Sequence, residues 1–111
     1  MKTSDNERLK KIVATWDNLQ SKIKENGITK DKLLHDEFLQ WAVTTPLYNI
    51  GEQVYQISPE LKKTRPVIPW NLVSGLRHRL VHDYEGINWS LIVEVIFEEM
   101  DGFINSVKEL I

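Results

Sequence analysis

At 111 residues and 13.0 kDa the chain has room for one hydrophobic core, and a single domain over 1–111 is expected. Its 41% hydrophobic and 27% charged residues match ordinary globular usage and argue against a disordered or membrane-embedded chain. The absence of cysteine excludes disulfide scaffolds and thiolate metal sites, and a net charge of -2 with a pI near 5.9 excludes a broadly basic nucleic-acid coat protein.

The first residues, MKTSDNERLKK, carry no apolar leader, and no apolar run approaches the roughly 20 residues of a membrane span. A cytoplasmic location is expected. Ser4 to Glu7 has the spacing of a capping box, in which a serine oxygen accepts from the third amide while the glutamate reaches back. The helix after it carries Leu9, Ile12, Val13, Trp16, Leu19 and Ile23 on one stripe and stops at Gly27. A linking segment over Thr29 to Leu34 leads to a second long helix from Asp36 to Ile57. Its expected core set is Phe38, Ala42, Leu47, Ile50, Val54 and Ile57, with Trp41 and Tyr48 at the margins. Pro46 lies inside this helix, where the lost amide predicts a bend.

Three prolines punctuate Ser58 to Pro69, which reads as a loop with one helical turn over Pro59 to Lys63, capped by Ser58. A third helix is expected over Trp70 to His82, with Trp70, Val73, Leu76, Leu80 and Val81 facing the core. The run EGIN breaks it. Asn88 then caps a last helix in which Trp89, Ile92, Val95, Ile96, Met100, Phe103, Ile104, Val107 and Ile111 keep the helical period. No stretch alternates with period two, so the expected fold is all-α, an up-and-down bundle of four amphipathic helices with short connections.

Charge is segregated along the chain. Between Glu60 and Tyr84 five basic residues face two acidic ones, whereas from Glu85 onward six acidic residues accompany only Lys108. The basic part surrounds RHRLVHDY, Arg77 to Tyr84, which sets two arginines, two histidines and a tyrosine in eight residues of an otherwise apolar helix. Metal-independent RNA cleavage uses such groups. A histidine of near-neutral pKa takes the proton of a 2′-hydroxyl, and a guanidinium stabilises charge growing on the phosphate oxygens. His82 is the candidate base or acid, Arg77 the phosphate clamp, and His78 and Arg79 supporting polar residues; no cofactor is required. Arg77 and His82 stand about 140° apart on an ideal helix, so they meet one ligand only across a groove or through the long reach of the Arg77 side chain, or with a symmetry mate closing the site from the opposite side.

Plainer roles exist for the same residues. Arg79 and His82 near a helix C-terminus stabilise the helix dipole. His78 and His82, one turn apart, form half of a zinc site, with His35 and carboxylates left to supply the rest. Tyr84, between Asp83 and Glu85, reads as an exposed lid on the helix end. The four tryptophans fall on or near apolar stripes and read as core and interface filler.

The spacing Arg77-x4-His82-x-Tyr84 resembles the signature of the HepT-like branch of the HEPN superfamily. So do the IGE of the second helix (Ile50 to Glu52), the IPW before the third (Ile68 to Trp70) and Tyr84-x-Gly86-Ile87-x-Trp89 after the motif. The likeness covers about half of the chain closely; the first 40 residues match only as a helical pattern. It implies a dimeric four- to five-helix bundle whose two motifs face one another across a cleft. It further implies a metal-independent endoribonuclease toxin of a two-gene toxin-antitoxin system, with Arg77 and His82 catalytic. The implied partner is an MntA-like nucleotidyltransferase antitoxin that silences the toxin by transferring AMP to Tyr84. Thr45 departs from the pattern, standing where the family usually has an arginine six residues before the glycine of IGE. The alternative is a non-catalytic subunit of a minimal nucleotidyltransferase, binding nucleotide or substrate, in which Arg77 grips a phosphate and His82 only hydrogen-bonds.

Overall fold

The computed structural model describes residues 3–81 and 86–111, and every regular element among them is helical. They are α1 (Thr3–Glu25), α2 (Lys30–His35), α3 (Glu37–Gln56), α4 (Pro59–Thr64), α5 (Trp70–Val81), α6 (Trp89–Glu94) and α7 (Met100–Lys108), with a π-helical stretch over Val95–Glu99 joining the last two. No described helix is long and apolar enough to cross a membrane.

α1 buries Leu9, Ile12, Trp16, Leu19 and Ile23, the stripe expected from its spacing. It ends as expected too. Gly27 takes φ +60, and the amides of Gly27 and Ile28 return to the carbonyls of Lys24 (3.2 Å) and Ile23 (2.9 Å), so two otherwise unpaired carbonyls of the last turn are satisfied. The start differs. The helix already includes Thr3, so Ser4 lies within the first turn, and Asp5 beside it turns inward instead. Buried to 2% exposure, its carboxylate accepts from the Ser58 amide (3.0 Å) and hydroxyl (2.6 Å), tying α1 to the joint between α3 and α4.

The segment after Gly27, expected as a link, folds into α2, because Thr29 caps it by accepting from the Lys32 amide and Leu33 is fully buried. Asp36 then caps α3 by accepting from Leu39 N. The side-chain amide of Gln40 donates to the carbonyls of Leu33 and Leu34, which fixes the rotation of α3 against α2. That rotation corrects the expected core set of α3. Val43, Leu47, Ile50 and Val54 are buried and Leu39 packs against them, whereas Phe38 is 74% exposed and Ala42 is exposed. Trp41 is outward as well, so it is not core filler. The helix runs uninterrupted through Pro46.

Ser58 caps α4 as expected, accepting from Leu61 N, with Pro59 at the first helical position. In α5 the expected Trp70, Val73, Leu76 and Leu80 are buried, but Val81 at the end of the helix is largely exposed. Asn88 caps α6 by accepting from Leu91 N. The last helix, expected as one regular rod, changes winding over Val95–Glu99, and Ile111 at its far end is exposed. α3 is the central element, packed on α5 on one side and α1 on the other; α7 lies on α1 and α6 on α2. Trp70 meets Phe103 edge to face at 5.9 Å in the core beneath α5.

Candidate active site

The candidate site starts from a glycine. A Cβ added to Gly51 would lie 2.8 Å from the Arg77 amide nitrogen, 3.2 Å from the Val73 carbonyl oxygen and 3.3 Å from the Arg77 Cβ. α3 and α5 therefore touch backbone to backbone at this point, which only glycine permits. The contact places Arg77 beside the last two turns of α3, where Glu52 and Tyr55 project towards it.

The Arg77 guanidinium carbon stands 3.6 Å from the centroid of the Tyr55 ring, and Nη1 lies 3.8 Å from Oε2 of Glu52. That last distance is an ion pair, not a hydrogen bond. Gln56 donates to the other carboxylate oxygen of Glu52 at 3.2 Å, so the carboxylate is itself held. With the Arg77 side chain 30% exposed, an ion pair of this kind contributes about 0.2–1 kcal/mol and the cation–π contact about 0.5–1 kcal/mol. Ordering an arginine side chain costs up to about 2 kcal/mol, so these contacts roughly cancel as stability and leave orientation as their result. One face of the guanidinium is covered by the Tyr55 ring, and among the described residues Glu52 is the carboxylate within ion-pair distance of it; a guanidinium held in this way can still donate to an anion.

Of the other basic residues near the motif, Arg65 pairs with Glu109 at 3.7 Å. Lys62 is half-buried, and desolvation pushes its ammonium below the ordinary lysine value, with Asp5 acting weakly in the opposite direction. His78 and Arg79 are exposed on the outer side of α5. His82 and Tyr84 lie outside the described residues, as do Asp83 and Glu85. The structure thus places Arg77, His78 and Arg79 of the candidate set, and it brings Arg77 together with Glu52, Tyr55 and Gln56. Those three were missed as functional residues in the sequence, although Glu52 belongs to the IGE motif and Tyr55 stands three residues on, along the same face of α3.

His35, considered as a third zinc ligand, is exposed, with Nδ1 3.0 Å from the Asp31 carbonyl oxygen and 3.4 Å from its carboxylate. Among the described residues no three His, Asp or Glu side chains gather closely enough to hold a metal ion.

The chain matches the family described as Ribonuclease HepT-like over residues 6–110. It is 32% identical over 85 residues to a protein of Caldanaerobacter subterraneus subsp. tengcongensis named "Putative RNase TTE0752", covering 77% of this chain and 76% of that one. It is 33% identical over 86 residues, 78% of this chain and 71% of the other, to "Putative RNase MJ0127" of Methanocaldococcus jannaschii. A protein of Thermococcus cleftensis named "Probable ribonuclease HepT" aligns over 110 residues at 26% identity, covering 99% and 98% of the two chains. No solved structure matches.

Proposed function

The chain belongs to the HepT-like ribonuclease family, and from that premise we propose that it is a metal-independent endoribonuclease, active as a homodimer and serving as the toxin of a toxin-antitoxin pair. The observation that carries the proposal is the oriented guanidinium of Arg77, stacked on Tyr55 and steered by Glu52, at the position the Arg-x4-His-x-Tyr spacing gives to the catalytic arginine.

In the proposed reaction His82 takes the proton of a ribose 2′-hydroxyl, the 2′-oxygen bonds to phosphorus and the bond to the 5′-oxygen breaks. The departing oxygen takes a proton from the His82 imidazolium of the second copy, leaving a 2′,3′-cyclic phosphate and a 5′-hydroxyl. Arg77 donates to the non-bridging oxygens, whose charge grows as phosphorus becomes five-coordinate. His78 and Arg79 supply further polar contacts along the strand. Transfer of AMP to Tyr84 by a nucleotidyltransferase partner silences the enzyme, because a phosphodiester and a purine two residues from His82 repel RNA phosphate and fill the groove together.

The test is cleavage of single-stranded RNA by purified protein in the presence of EDTA. Wild type cleaves and His82→Ala does not, with the helical circular dichroism spectrum kept; cleavage that survives in His82→Ala overturns the catalytic assignment, and activity lost to EDTA overturns metal independence. Light scattering at micromolar concentration gives the mass of a dimer, and a monomer removes the second half of the site. With a cognate transferase and ATP, Tyr84 gains the mass of AMP; a Tyr84→Phe protein still modified and silenced moves the modification elsewhere.

A further inference from the structure

Tyr55 does more than carry Arg77. The same residue lines a cavity of about 500 Å3 between the start of α1, the last turn of α3 and α4, together with Asp5, Gln56, Ser58 and Lys62. A ligand bound at the guanidinium therefore has a recess one tyrosine away.

The polar groups of that recess are mostly committed. The Asp5 carboxylate is occupied by the amide and hydroxyl of Ser58, the Ser58 oxygen also accepts from Leu61 N, and the Gln56 amide is turned to Glu52. Lys62 is different. It is half-buried, and among the described residues no carboxylate lies within ion-pair distance of its ammonium. A partly desolvated cation with no ion-pair partner among the described residues, facing an open cavity whose nearest carboxylate, Asp5, is already turned to the Ser58 amide and hydroxyl, can take an anion. A single RNA strand places one phosphate per nucleotide, and aromatic rings beside cations are the usual platform for such a strand.

We propose that this cavity is the subsite for the nucleotide adjoining the scissile phosphate, with the Lys62 ammonium binding that nucleotide's own phosphate. The inference rests on Arg77 holding the scissile phosphate, and it extends that site by one nucleotide.

The experiment uses a fluorescent RNA tetranucleotide whose 2′-hydroxyls are methylated, which binds but lacks the attacking group. Affinity is measured by anisotropy over a salt series for the full-length wild type, Lys62→Ala, Lys62→Arg and Lys63→Ala; Lys63 is the adjacent exposed lysine of α4 and does not line the cavity. Lys62→Ala lowers affinity, and its slope of log affinity against log salt falls by about 0.7, the value for one phosphate contact to a single strand. Lys62→Arg restores both, and Lys63→Ala keeps the wild-type slope. With unmethylated RNA, the ratio of kcat/KM for a tetranucleotide to that for a dinucleotide falls in Lys62→Ala, because the dinucleotide has only the scissile phosphate. Equal losses in Lys62→Ala and Lys63→Ala, or a Lys62→Ala protein that binds like wild type, overturn the subsite while leaving RNA cleavage by the wild type standing. A wild type that binds but never cleaves, with Lys62→Ala still weaker and Lys62→Arg restored, removes the ribonuclease assignment and supports the anion site at Lys62.

Discussion

Two seams of this bundle are built on opposite plans. Between α3 and α5 the backbones meet at Gly51, with no room for even one added carbon. Between α1 and the C-terminal helical run the helices also pack, but beside a cavity of about 330 Å3 lined by Trp16, Ile23, Ile28, Ile96 and Phe97 among others. There the elements are bridged by side chains: Asp101 accepts from Trp16 Nε1 at 3.3 Å and from Gln20 at 2.7 Å. A backbone contact fixes helix position to a fraction of an ångström, whereas long side chains across a gap allow repacking. The candidate site lies on the first seam. A guanidinium that must meet a phosphate at hydrogen-bond distance gains from the rigid plan, and the other seam has no such demand.

The contrast can be broken most severely at Gly51. Gly51→Ala forces α3 from α5 at the Arg77 amide, and overpacking of this kind costs about 1–3 kcal/mol. Urea denaturation measures that loss, and RNA cleavage per folded molecule falls as well because Arg77 moves. On the open seam Asp101→Ala strips Trp16 and Gln20 of their shared acceptor and costs about 0.5–1.5 kcal/mol, with cleavage per folded molecule unchanged. Ile96→Met, a swap of similar volume beside the cavity, is expected to cost no more than that, below about 1.5 kcal/mol. The comparison is wrong if Asp101→Ala and Gly51→Ala reduce cleavage equally at matched folded fraction.

Glu52→Gln sharpens the site half of the contrast with little effect on stability, since an ion pair this exposed is worth at most about 1 kcal/mol. It leaves Arg77 stacked on Tyr55 and removes the competing carboxylate, so RNA binds more tightly while the guanidinium is less well oriented. KM and kcat are expected to fall together, and a variant in which KM rises would remove Glu52 from the phosphate site.

Much of the fold was legible because the signals were local. The stripe of α1, its stop at Gly27, and the caps Ser58 and Asn88 each depend on residues within one or two turns. α3 was less legible. Its first half holds Phe38, Leu39, Trp41, Ala42 and Val43, apolar on nearly every side, so periodicity alone does not choose the inward face. The choice is made by Gln40 gripping the end of α2, a short helix the sequence presented as a link. The π-helical stretch in the last helix left no mark on the apolar spacing. At the site, Arg77 stood out from its motif, but Tyr55 and Glu52 touch it only through the α3–α5 contact. Nothing near them in the chain announces the partner across that contact.

The carboxylate beside Arg77 also bears on turnover. A bare guanidinium would hold any passing phosphate, including the cleaved end of its own product. In the proposed site, where Glu52 Oε2 lies 3.8 Å from Arg77 Nη1, a phosphate would reach Arg77 by exchange with that carboxylate and would return the cation to it on leaving. In the proposed ribonuclease reaction that competition would take a little affinity from every phosphate alike, from the product's end and free phosphate as much as from the substrate.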